Sequence, residues 1–284
     1  MSGVLAVLFD PDITLIRYAV LAGLLAGISL GIVGSFTVAK RITSVTGALS
    51  HSVLGGIGFA LYARSVFGFS WFHPLYGALF AGILSALILS WVSSYAKERE
   101  DTAISAVWAT GMAVGLLFIA RTPGYVDPMS YLFGDILLIS KQDLYLIALL
   151  DALVLFLTVM FYPKLVAVCF DEEFARARGI PTERYHLVLL LLSALTVVLL
   201  VSIVGIVLVV ALLALPAALA AQFTRRMTHM MVVASVFSML FTSGGIVTSY
   251  VLDLPTGPCI ILLVAGCYYL VLATQYLSIS RKKY

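Results

Sequence analysis

Long apolar runs separated by short polar clusters account for most of the chain. Nine runs fall at roughly 16–37, 44–63, 72–94, 103–120, 144–163, 186–204, 206–222, 229–250 and 257–277. Each is close to the ~20 residues a helix needs to cross a bilayer. Hydrocarbon offers backbone N–H and C=O groups no partner but each other, so each run is predicted as a transmembrane α-helix. The boundary at Ser202–Gly205 leaves two readings of residues 186–222. They form two short spans around a tight turn, or one longer broken helix, giving nine spans or eight. Pro216, inside the second half, is expected to kink its helix.

Small residues repeat at helical spacing within these runs. Gly23, Gly27 and Gly31 share one face of the first span, Ala78, Gly82 and Ala86 one face of the third, and Gly111 and Gly115 one face of the fourth. Such faces let helices approach closely in a bundle. Two further segments are not spans. Residues 121–143 hold Pro123, Gly124 and Pro128, then about ten apolar residues, a length suited to a re-entrant or interfacial piece. Residues 164–185 are the most charged part of the chain. There Asp171 reads as a helix N-cap, and Gly179 with Pro181 as the stop. Phe170 and Phe174 are expected one turn apart on that short helix, among Asp171, Glu172, Glu173, Arg176 and Arg178. It is either a solvated amphipathic loop helix or a docking peg with two rings for a partner's groove.

Composition narrows the class. The chain is 62% hydrophobic and 11% charged, with mean hydropathy +1.10, against about 25% charged for a soluble domain. A net charge of +3 gives no reason to expect nucleic acid as a partner. Three cysteines, Cys169, Cys259 and Cys267, make no metal-finger spacing and no complete disulfide framework. The chain starts without a basic leader and carries Asp10 and Asp12 before the first run, so that run is expected to be retained as a helix. Basic residues set the orientation. With nine spans, 13 of the 17 Lys and Arg fall on one side, in clusters at 40–41, 97–99, 164–184, 225–226 and 281–283. Arg17, Arg64, Arg121 and Lys141 fall on the other. The C-terminus is therefore predicted to be cytoplasmic and the N-terminus outside. A single crossing over 186–222 would put Arg225 and Arg226 outside, so the charges favour nine spans.

One stretch departs from the lipid-facing pattern. Gly47-Ala-Leu-Ser50-His51-Ser52-Val-Leu-Gly55-Gly56-Ile-Gly58 carries an imidazole, hydroxyls and four glycines inside an apolar run. Ionisable groups at membrane depth are costly and mark pathways. His51, with Gly47, Ser50, Ser52 and Gly55, therefore reads as a pathway-lining face, and the competing reading is polar glue between helices. His73, His186 and His229 lie near span ends. Asp135 and Asp253 lie in outer segments and read as helix-capping or turn residues.

Five ordered motifs spread over nearly the whole chain: Lys40 to Gly56, SYLFGDILLIS at Ser130–Ser140, FDEEFARARGI at Phe170–Ile180, VGIVLVVALLALPAALA at Val204–Ala220, and SYVLDLPTGP at Ser249–Pro258. With them the chain resembles the integral membrane permeases of ATP-binding-cassette importers for manganese, zinc and iron, the ABC-3 family. The resemblance implies an all-α, type II importer-like helix bundle, a single permease domain over residues 1–284, in the bacterial cytoplasmic membrane. It implies two cytoplasmic ATPase subunits, an extracytoplasmic metal-binding protein and a second permease copy or paralogue. It implies no permanently bound cofactor, only a transported divalent metal ion. Residues 170–180, with Phe170, Asp171, Glu172, Glu173, Phe174, Arg176 and Gly179, match the family's ATPase-coupling helix. His51 matches its pathway histidine.

Many members carry an Asp four residues before that histidine, and here the position is Gly47. An imidazole without its carboxylate is a weaker site for a borderline divalent ion; a second His51 across a dimer axis would restore two ligands. A permease for a larger chelate, such as cobalamin or a siderophore, is the alternative transporter. An intramembrane enzyme needs paired catalytic groups, and the sequence has no HExxH, no GxSxG and no pair of intramembrane carboxylates. It also lacks a GxxxxGK[ST] loop, so ATP hydrolysis is expected from a partner.

Overall fold

The nine apolar runs are helices in a computed structural model that describes residues 14–95, 100–124, 127–134, 136 and 139–281. Asp10, Asp12, Lys97, Arg99, Asp135, Lys282 and Lys283, used in the sequence reading, lie outside these. In chain order the helices are α1 (Thr14–Ala39), α2 (Thr43–Val66), α3 (Pro74–Tyr95), α4 (Glu100–Arg121), α5 (Pro128–Phe133) and α6 (Lys141–Phe170). They continue with α7 (Glu172–Ala177), α8 (Thr182–Val204), α9 (Ile206–Phe223), α10 (Met227–Leu252) and α11 (Thr256–Arg281). Among the described residues nine of them are long and apolar enough to cross a membrane; α5 and α7 are short.

The uncertain boundary resolves into two spans. Gly205 adopts φ 89°, ψ 157° between α8 and α9, a conformation that ends one helix and starts the next. The fifth run is longer than its pattern suggested. α6 passes through Pro163 and continues to Phe170, covering 30 residues instead of the 20 read from 144–163. The polar residue Lys164 looked like a boundary, yet its ammonium lies over the Tyr185 ring, 5.4 Å from the centroid. Its apolar neighbour Leu165 is fully buried.

α1 lies against α10, α6 and α9, and α2 lies between α3 and α4. The glycine faces account for these pairs. Gly23, Gly27 and Gly31 face Thr242, Met239 and Ser235 of α10, where any larger side chain would meet the partner helix. Gly111 and Gly115 let α4 approach Ser52, Leu54 and Gly55 of α2. Gly82 meets Val198 of α8, flanked by buried Ala78 and Ala86. Close backbone approach stands in for the hydrophobic drive that lipid does not supply between helices.

Three of the sequence motifs converge at one end of the bundle. Gly134, with φ 61°, follows α5 and lies against the backbone of Val204 and Gly205. Gly257, in the first turn of α11, faces the Phe133 carbonyl. Asp127 caps α5 by accepting a hydrogen bond from Met129 N at 3.0 Å. Asp253 is the left-handed C-cap of α10, φ 52°, so it plays the turn role expected of it. The charge distribution assigns this end to the outside.

Candidate functional site: the His51 helix and the short charged helix

α2 starts directly after a tight turn. Arg41 takes a left-handed φ of 61° and Ile42 N donates to Thr37 O at 2.9 Å, which closes the end of α1. Two turns into α2 lies His51. Its ring is half-buried and stacked on Trp108 of α4, with centroids 4.6 Å apart and planes 12° from parallel. Nδ1 is buried and has no hydrogen-bond partner. The imidazole is therefore fixed by stacking, with a buried Nδ1 that no protein group bonds.

The other residues of that stretch divide by face. Gly47, one turn before His51 and on the same side, has no atom within 4 Å of where a Cβ would project. Ser50 is fully buried and donates to Thr46 O at 2.8 Å; Ser52 donates to Leu49 O at 2.8 Å. Both hydroxyls are satisfied by their own helix. Gly55 faces the Gly111 carbonyl of α4. Ser52 and Gly55 also line an apolar groove of about 320 Å³ between α2, α3 and α4, with Phe59, Phe80 and Phe118. Among the described residues no three His, Cys, Asp or Glu side chains come together.

A carboxylate that the sequence reading passed over lies in the core. Asp151, about a third of the way along α6, is 4% exposed. Its Oδ1 accepts from the backbone N of Ser29 at 3.2 Å, and its Oδ2 has no hydrogen-bond partner. The signal was present as one acid in an otherwise apolar run (LLDALVLF), but a search for carboxylate pairs does not register a single acid.

At the opposite end of the bundle from α5, α7 forms the short charged helix expected after residue 170. Asp171 caps it, Oδ1 accepting from Phe174 N at 2.8 Å. Gly179, with φ 78°, ends it, with Ile180 N donating to Ala175 O at 3.1 Å. One detail differs from expectation. Phe170 is the last residue of α6, not part of the short helix, because Asp171 at φ −151°, ψ 95° breaks the two apart. Both rings are nonetheless presented outward, Phe170 66% and Phe174 52% exposed. The Arg178 guanidinium covers the Phe174 ring at 5.0 Å.

Nor is Glu172 a free rim charge. Its Oε2 is 3.1 Å from Lys40 Nζ and its Oε1 is 3.6 Å from Arg176. Partial burial pushes its carboxyl up, but Lys40, His186 and Arg176 outweigh that and hold it below the usual carboxylate range. Arg176 also reaches Thr182 Oγ1 at 3.4 Å, and Ala175 is fully buried. α7 thus has an anchored inner face and an aromatic outer face.

The model of the ABC 3 transport family matches residues 12–275. The chain belongs to the ABC 3 transport family. A probable metal transport system membrane protein of Chlamydia trachomatis is 37% identical over 271 residues, 95% of this chain and 91% of that protein. The manganese transport system membrane protein MntC of Halalkalibacterium halodurans is 33% identical over 256 residues, 90% of this chain and 85% of that one. Among solved structures, PsaBC from Streptococcus pneumoniae in complex with Fab superposes with a TM-score of 0.82 at 27% identity, covering 95% of this chain and 94% of that one. Membership fits the nine spans, and the chain is a multi-pass protein of the bacterial cytoplasmic membrane.

Proposed function

We propose that this ABC 3 family chain is the membrane-spanning permease subunit of an ATP-driven importer of divalent transition-metal ions, manganese, zinc or iron. The observation that carries the reading is family membership over almost the whole chain, together with relatives named for metal and manganese transport. ATP is hydrolysed by cytoplasmic ATPase subunits. An extracytoplasmic binding protein delivers the ion, and a second permease copy or paralogue completes the pathway.

His51 is the transient contact for the ion, and Gly47, Ser50, Ser52 and Gly55 belong to the same pathway helix. Its ring, held in place by stacking, and the open space beside Gly47 one turn away support that role. Imidazole suits borderline divalent ions. A single ligand also suits transport, because an ion held by a full cage would enter and not leave. α7 and Phe170 are the ATPase contact. Two exposed rings on a capped, anchored segment, with Glu173 and Arg178 beside them, have the make-up of an anchor for a partner's groove.

The test is uptake of radiolabelled manganese, zinc and iron in a deletion strain that carries this chain with its neighbouring transport genes. Accumulation of at least one ion should require the chain and an ATPase with an intact phosphate-binding loop. Equal uptake with and without the chain for all three ions would reject the reading.

A further inference from the structure

α7 adjoins only α6 and α8 in the sequence, yet one side-chain contact ties it to another part of the bundle. Glu172, its first residue, pairs with Lys40, 132 residues away, at 3.1 Å. Lys40 is the better buried partner, its side chain 10% exposed against 43% for Glu172. The lysine stands at the end of α1, and only Arg41 and Ile42 separate it from the first residue of α2. That link is closed by backbone hydrogen bonds from Lys40 N, Arg41 N and Ile42 N to Phe36 O, Val38 O and Thr37 O. These bonds tie the turn to the end of α1, and Val45 N donating to Ile42 O at 3.0 Å joins it to the first turn of α2. His51 is eight residues further on, about 12 Å along the axis at 1.5 Å per residue.

We propose that the Lys40–Glu172 pair is the strut through which a displacement of α7 reaches α2 and the ion path at His51. The inference rests on the reading of α7 as the ATPase contact. The two roles of α7 fall on opposite sides of it: Phe174 is two residues from Glu172, about 200° around the helix. The ATPase pulls on the outer, aromatic side, and the carboxylate transmits on the inner side. Arg176 lies 3.6 Å from the other oxygen of Glu172, while His186 of α8 adds positive potential to the same carboxylate. An ammonium this well buried strongly resists losing its counter-charge, so the pair stays closed as α7 moves. Glu172 and Lys40 are positioning residues: neither touches the ion.

The experiment uses the complete complex in membranes, with Lys40→Met, Glu172→Gln and the double variant. Three quantities are read: ATPase co-purified per permease, ATP hydrolysis, and uptake of radiolabelled manganese per permease. Each single variant should keep ATPase and hydrolysis near wild type while uptake falls about tenfold. The double variant should transport no worse than the poorer single one, because both changes cut the same link. Lys40→Met leaves the more exposed Glu172 with Arg176 still beside it, so it removes the strut without stranding a buried charge. Uptake near wild type in Lys40→Met overturns the proposal. So does loss of bound ATPase in step with uptake, failure of Lys40→Met to accumulate, or a double variant whose losses multiply. Phe174→Ala separates this from the docking reading: if it keeps full ATPase and full uptake, α7 is not the docking element. A normal Glu172→Gln beside a defective Phe174→Ala removes only the strut.

Discussion

His51 owes its position to two neighbours that act differently. Trp108 holds the ring by stacking, and Gly47 leaves the space one turn away unfilled. His51→Ala should therefore abolish metal uptake while the complex still assembles and hydrolyses ATP; near-normal uptake would return His51 to a packing role. Gly47→Asp has room, so it should accumulate normally. It places a carboxylate on the imidazole's face, and the expected result is tighter ion retention with slower turnover, read as a lower half-saturation concentration and a lower maximal rate. Glu172 gives a pH signature. Its folded value is lowered, so its pairing contributes stability above the unfolded carboxylate value of about 4.3, and that contribution is lost as pH falls through the lower folded value. The thermal midpoint of the purified permease should exceed that of Glu172→Gln at pH about 5 and above. The margin should shrink under more acid conditions; a margin that grows there would contradict the assignment.

At the scale of elements, most of the spans were legible because hydrocarbon imposes one simple rule on backbone and side chain alike. The reading failed where that rule stops applying. The run at 144–163 stopped before the polar Lys164, but the helix continues to Phe170, with Leu165 buried and Lys164 over the Tyr185 ring. Glu172 looked like a solvated charge because its partner is 132 residues away, and no local pattern encodes such a distance. The meeting of α5, the α8–α9 break and α11 was equally hidden, although all three motifs were visible. It makes a definite demand on glycine. Gly134 and Gly205 both have positive φ and face each other's backbone, so neither conformation nor space admits a side chain. Gly134→Ala or Gly205→Ala should cost about 1–3 kcal/mol each from conformation alone, plus the clash, and should lower membrane accumulation sharply. Gly257→Ala, whose Cβ would sit 3.2 Å from the Phe133 carbonyl, should be much milder. Equal accumulation of all three would mean that this contact is not maintained in the membrane. On the other side of the bundle, Phe174→Ala should weaken ATPase association by about 2 kcal/mol or more if the ring fills a pocket. Glu173→Ala should cost only ~0–1 kcal/mol; co-purification of the ATPase with each variant compares them.

For the molecule as a whole, the two short helices give the bundle its polarity. α5 lies with Arg64, Arg121 and Lys141, and α7 with Lys40, Arg176 and Arg225. An importer driven by ATP must receive its ion on one side and its work on the other, so these assignments stand or fall together. Thirteen of 17 basic residues on the α7 side place that side in the cytoplasm. The count needs the break at Gly205, since one crossing fewer over α8 and α9 would carry Arg225 and Arg226 outside. Arg64 and Arg225 are both exposed, at the end of α2 and just after α9. Each can be replaced by cysteine after Cys169, Cys259 and Cys267 have been removed. In intact cells a membrane-impermeant thiol reagent should label Arg64→Cys and leave Arg225→Cys unlabelled until the membrane is opened. Labelling of both in intact cells would reject the nine-span topology. Labelling of Arg225→Cys alone would invert it and put α7 out of reach of any cytoplasmic ATPase.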